Sequence, residues 1–134
     1  MRAVLSTGKE DAALAFENLE SVKDEASCYV AIQSKGFSAR RPFYFSPLSR
    51  VLSELEALNS SLTGKVIFTE DYDDNAISFE CDKFGHVIVE GELYLHSEHY
   101  HALKFSFETD QTCLAPFIRD LKKVAAANSN AYPE

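Results

Sequence analysis

Residues 96 to 101 read HSEHYH and bring His96, Glu98, His99 and His101 into six positions, with three of the chain's 4 histidines. Imidazole and carboxylate groups at that density are the raw material of a zinc or other metal centre, provided three or four of them converge on one point. Whether they do depends on the element that carries them. Val87, Val89, Leu93 and Leu95 alternate on one side of a strand, and His101, Leu103, Phe105 and Phe107 alternate on the next. If both sets share one face of a hairpin, residues directly opposite have numbers with an even sum. That excludes a two-residue turn and favours the three-residue loop Ser97, Glu98, His99, with opposite pairs summing to 196. The same register sets Leu93 against Leu103 on the core face and Glu92 against Lys104 on the wet face. It is a charge match to which the pattern was not fitted. It also separates the histidines: His96 on the wet face, His99 in the loop, His101 pointing inward. Residues on opposite faces of a strand do not converge, so no metal ligands and no cofactor are expected here, although His99 and His101 could share an ion with a remote carboxylate.

Other catalytic patterns are absent. There is no GxSxG, phosphate loop or HExxH, and the 5 glycines stand singly. Cys28, Cys81 and Cys113 form no CxxC pair and read as reduced, small core residues. No catalytic residue is nominated, and the chain is not expected to be an enzyme.

Charge is more informative. Of a net charge of −8, residues 66 to 98 carry nine acids, Glu70, Asp71, Asp73, Asp74, Glu80, Asp82, Glu90, Glu92 and Glu98, against the single base Lys83; the rest of the chain is balanced. A nucleic-acid partner would need a basic face, so none is expected, whereas a basic protein partner would be drawn to this segment. In isolation the same acids read first as a surface that keeps the protein in solution.

The elements that must hold these residues are legible in part. With 134 residues and 46% hydrophobic composition, the chain suits one domain, placed at 1–128, with a loose tail at 129–134. No apolar run approaches the ~20 residues of a membrane span. The first residues hold no stretch of leader length before Lys9, so a soluble, cytoplasmic protein is expected. Leu48, Val51, Leu52, Leu55 and Leu58 predict a helix over about 47–60, with Ser46 as cap and Pro47 at its first position. Leu114, Phe117, Ile118, Leu121 and Val124 predict another over about 113–127, with Pro116 in its first turn and Asp110 and Thr112 supplying capping oxygens. Period-two alternation marks strands at Cys28–Ile32, 64–69 and Ile77–Cys81, and Pro42 in FSARRPFYF points to an edge strand or a bulge. In 10–26, Ala12, Ala15, Phe16, Leu19 and Val22 fit a helix, but Leu14 and Phe16 also fit a strand; periodicity leaves both open. The class is α+β: a single domain with an antiparallel sheet of about five to seven strands and two amphipathic helices packed on it.

The run GHVIVEGELYLHSEHYHALKFSFETDQTCLAPFIRDLKKV, residues 85 to 124, resembles the WapI family of bacterial immunity proteins. Gly85 and His86 open a strand, LKFSFETDQT returns it, and an amphipathic helix follows directly. GFSARRPFYFSPLSRVLSELEALNSSLTGKVIF is similar to the family's order of strand, leucine-spaced helix and strand. The likeness covers roughly residues 28 to 124, and by analogy favours a strand near 12 to 18. Cys113, where an aromatic would be expected, and the histidine-rich tip depart from the pattern. The resemblance implies a non-catalytic inhibitor of a secreted toxin domain, which in the namesake is an RNA-cutting nuclease. Such a partner is basic, and Glu70, Asp71, Asp73, Asp74, Glu90 and Glu92 are the expected contacts. The competing readings are a small metal-dependent protein or enzyme built on His96, His99 and His101, and a structural homo-oligomer; a homodimer is also compatible with the inhibitor.

Overall fold

The structure, a computed structural model, describes residues 1–7, 12–71, 73–82, 84–96 and 99–131, with only the backbone described for His96 and for 128–131. Eight strands and two helices follow in the order β1 (Ala3–Ser6), β2 (Ala12–Val22), β3 (Glu25–Ser34), β4 (Phe37–Phe45), α1 (Leu48–Ser61), β5 (Gly64–Thr69), β6 (Ala76–Cys81), β7 (His86–His96), β8 (Tyr100–Asp110) and α2 (Gln111–Ala131). The expected class holds, but the strands divide into two antiparallel four-stranded meanders, β1-β2-β3-β4 and β5-β6-β7-β8, joined through α1. Sequential hairpins leave each sheet one apolar face, and the two faces meet.

Phenylalanine fills the junction. Phe16 and Phe45 from the first sheet lie 5.4 and 5.1 Å from Phe68 of the second. Phe117 of α2 reaches Phe16 at 5.4 Å and Phe79 at 5.7 Å, so the last helix seals both sheets. Cys28 and Cys81 are buried in this core, as their spacing suggested.

Residues 12 to 22 form a strand, and the ambiguity of their spacing has a structural cause. Glu17 pairs with Tyr29 but Glu20 with Ser27, so the strand bulges between them, with Asn18 at φ 51°. Asparagine tolerates that left-handed conformation better than most side chains. The bulge switches the inward parity from Leu14 and Phe16 to Leu19 and Ser21, all buried. A buried set at 12, 15, 16 and 19 therefore imitates a helix.

Both helix starts differ from expectation. Pro47, not Ser46, is the cap residue of α1, with no side-chain bond of its own, and the Ser46 hydroxyl donates to Asp71 at 3.0 Å. The amides are met from the β2–β3 turn: the Leu48 amide donates to the Asp24 carbonyl at 2.9 Å and the Ser49 amide to its carboxylate at 2.8 Å. For α2, the Asp110 carboxylate accepts from the amides of Thr112 at 2.8 Å and Cys113 at 3.2 Å. Thr112 itself donates its hydroxyl to that carboxylate instead of capping an amide. Because α2 begins at Gln111, Pro116 lies inside the helix, beyond the first turn, and withholds one backbone donor. The helix continues to Ala131, through part of the segment expected to be loose; residues 132–134 lie outside the described residues.

Candidate functional site

The β7–β8 hairpin has the register the alternation required: Glu92 opposite Lys104, Leu93 opposite Leu103, His96 opposite Tyr100, every pair summing to 196. The Lys104 ammonium lies 3.4 Å from the Glu92 carboxylate. Ser97 and Glu98 of the expected loop lie outside the described residues. His101 does not point into the core. It is exposed, as is Leu95 opposite it, at 44%. The reason is length: β6 pairs with β7 only as far as Glu92, so the hairpin beyond it projects past its own sheet and the inward parity there faces solvent. His99 is exposed as well.

Imidazole and carboxylate do meet elsewhere. His86 Nδ1 lies 3.2 Å from both the Asp82 and Glu108 carboxylates, the one grouping of metal-ligand type among the described residues. Asp82 also accepts from the amides of Phe84 at 2.8 Å and His86 at 3.1 Å. Its carboxyl is held below the usual range: although desolvation acts upward, these two amides and the His86 ring outweigh it. The trio fastens the β6–β7 turn to β8 at one exposed end of the sheet. The register placed Glu108 diagonally across from His86, but reading His86 only as a strand opener missed the group.

The acids of residues 66 to 98 are distributed by the pleat. Even-numbered residues of β6, β7 and β8 face away from the core, which forms the rows Lys65–Glu80–Ile88–Glu108, Ile67–Ser78–Glu90–Ser106 and Thr69–Ala76–Glu92–Lys104 across the second sheet. Every residue of these rows is exposed or half-buried. Small side chains at Ala76, Ser78 and Ser106 leave a shallow open depression of about 460 Å³, to which Asp74, Glu90 and Glu92 all contribute. Asp73 is exposed beside it, its backbone turned so that its carboxylate accepts from the Asp74 amide at 2.7 Å. Three of the six expected contacts thus share one surface, with a fourth at its rim.

The other two are placed differently. Glu70 is 4% exposed and pairs with the guanidinium of Arg41 at 3.1 Å. The same carboxylate accepts from the Asn75 amide group at 2.6 Å and the Tyr44 backbone amide at 3.2 Å. Its charge is consumed inside the fold, where it pins β4 of the first sheet to the β5–β6 turn of the second. Asp71 is half-buried and occupied by Ser46. Linear charge counting does not distinguish a carboxylate with an internal guanidinium partner from one facing water.

Two residues of this surface were not nominated from sequence. Tyr94 and Tyr100 lie on the same outward parity as Glu92, their ring centroids 6.1 Å apart. The Tyr94 hydroxyl donates to the Glu92 carboxylate. That bond, before desolvation and the charges of Glu92 and Asp74, pushes the phenol up to about 12. It also holds the Glu92 carboxyl below its ordinary value, with Lys104 adding to the effect. The even-sum register already placed both tyrosines on this face.

The molecule is thus an α+β protein of two meanders, with carboxylates gathered on the outer face of the second sheet. The chain belongs to the immunity protein WapI-like family, whose model matches residues 10–128. No curated protein and no solved structure matches it. No helix among the described residues is long and apolar enough to cross a membrane.

Proposed function

We propose that this immunity protein neutralises a toxin domain by direct contact through the outer face of β5–β8, without catalysis of its own. The observation that carries the reading is the convergence of Asp74, Glu90 and Glu92 on one uncovered sheet face, with Asp73 at its edge. A nuclease toxin fits that face well, because the surface that holds its phosphodiester substrate is basic, and carboxylates arranged on a rigid sheet can occupy it in the substrate's place. Glu70 and Asp71 support this surface from within and are not themselves contacts.

The test is charge reversal of Asp73, Asp74, Glu90 and Glu92 together, with Glu70 and Asp71 untouched so that the internal pairing survives. The variant should remain folded, as judged by circular dichroism and a cooperative unfolding transition, and lose protection of cells expressing the cognate toxin domain, with affinity reduced at least a hundredfold. Undiminished affinity in a folded variant would move the interface to another face.

A further inference from the structure

Four strands lie at the edges of the two sheets, and an edge strand offers its unpaired amides and carbonyls to another chain unless something discourages the approach. Three of them carry such a device. β1 has 4 residues and lies against α2, β5 has 6 and lies against α1, and β4 holds Pro42 beside Arg40 and Arg41. β8 differs: it has 11 residues, no proline and an unbroken register with β7, and among the described residues no strand pairs with its outer side. An open groove of about 250 Å³ runs beside it, with Leu103 to Ser106 on one side and Ile32, Ser34 and Phe37 on the other. Apolar surface collects there. Phe37 is 69% exposed, and Phe105 and Phe107, at 7% and 9%, are the least covered phenylalanines of a core whose others stand at 1% or less.

Residues 104 to 108 read KFSFE, a segment that complements its own reverse. Antiparallel pairing of two copies about Ser106 joins residues whose numbers sum to 212. Lys104 of each copy then faces Glu108 of the other on the outer side, Phe105 faces Phe107 on the inner side, and Ser106 faces itself on the axis. Sums of 208 and 216 set like charges face to face, and sums of 210 and 214 break both pairs of phenylalanines. We infer that this protein forms a symmetric dimer through β8, its two second sheets joining edge to edge. A strand of foreign sequence is the rival occupant, but Lys104 discourages casual pairing, and a carboxylate at the matched position, as on a second copy, is what answers it. Both charged side chains are within reach of the added contact. Lys104 is 84% exposed in its pair with Glu92, and Glu108 is 55% exposed in its pair with His86. Each copy has one such edge, so the contact closes on itself and recruits no third chain. Its twofold axis stands perpendicular to the joined sheet, which sets both outer faces on the same side and leaves Asp74, Glu90 and Glu92 outside the contact. The inference is therefore independent of the toxin reading.

Sedimentation equilibrium of the full-length protein, from micromolar to submillimolar concentration, should show the mean mass rising from that of the monomer toward twice that value. Lys104→Glu sets carboxylates opposite each other and should weaken association at least about tenfold, and Glu108→Lys should do the same with ammoniums. Both changes in one chain restore opposite charges at each position and should bring affinity back to within about threefold of wild type. Ser106→Lys, which brings two ammoniums together on the axis, should abolish the dimer. Circular dichroism verifies that each variant is folded. A mass that stays monomeric across the range would overturn the proposal, which is the result expected if a toxin strand is the occupant of this edge. So would a dimer indifferent to both Lys104→Glu and Ser106→Lys, or one that a folded double-charge variant fails to regain.

Discussion

The Glu70 carboxylate meets Arg41, Asn75 and the Tyr44 amide in a space closed to water, and no buried side-chain polar atom among the described residues lacks a partner. A buried ion pair of this kind contributes little net stability, since desolvation offsets the attraction, but removing one member leaves the other charged and unpaired. Glu70→Ala should therefore lower unfolding free energy by about 3–5 kcal/mol, measured by urea denaturation. A loss below about 1 kcal/mol would mean that Arg41 finds another anion, Asp73 being the nearest. Asp110 offers a pH test. Its carboxyl is lowered first by the Thr112 hydroxyl and then by the Thr112 and Cys113 amides, with desolvation opposing. A group depressed in the folded state adds stability that is whole above the unfolded value of 3.8 and disappears as the pH falls through the folded value. Asp110→Ala should cost about 0.5–2 kcal/mol at pH 6. The gap between variant and wild type should narrow as the pH is taken below 3.8; a gap independent of pH would assign the effect to something other than the cap.

At the scale of elements, the hairpin was readable because nothing interrupts its alternation, and a single parity argument gave its register from Glu92–Lys104 to His96–Tyr100. The same argument fails on β2 because one extra residue at the bulge reverses the parity midway. It fails at the start of α1 for another reason: the capping group, Asp24, is 25 residues away in a turn with φ 66°, and local sequence carries no sign of it. Gly91 shows a third kind of constraint. A Cβ there would lie 2.6 and 2.8 Å from the Phe105 ring and 3.0 Å from the Ala76 carbonyl oxygen, although nothing in EGEL marks the position as crowded. Gly91→Ala should destabilise by about 1–3 kcal/mol, read from the thermal midpoint, as Phe105 is driven from its place in the core. An unchanged midpoint would show that the ring has room to turn aside.

For the whole molecule, composition located the net charge in one quarter of the chain, and the fold then divided it. Some carboxylates became internal fasteners and others an open sheet back, a division that depends on contacts between distant segments such as Arg41 and Glu70. That the sheets number two was equally out of reach, since alternation marks which face of a strand is buried and not which sheet buries it. Long-range attraction from the open back predicts a salt-sensitive encounter. The association rate with a basic toxin domain should fall at least tenfold between 20 and 300 mM salt, while the dissociation rate changes little. Rates insensitive to salt in stopped-flow mixing would remove electrostatics from the recognition.

The alternation of β7 and β8 has a consequence for descent. Odd-numbered positions from Val87 to Leu93 and from Phe105 to Thr109 are tied to the interior, whereas the even-numbered ones face outward, where their contacts, such as Glu92 with Lys104 and His86 with Glu108, are surface pairs. A lineage pressed by a changing adversary can rewrite the second set letter by letter without disturbing the first, so the pleat itself separates inheritance of shape from inheritance of target.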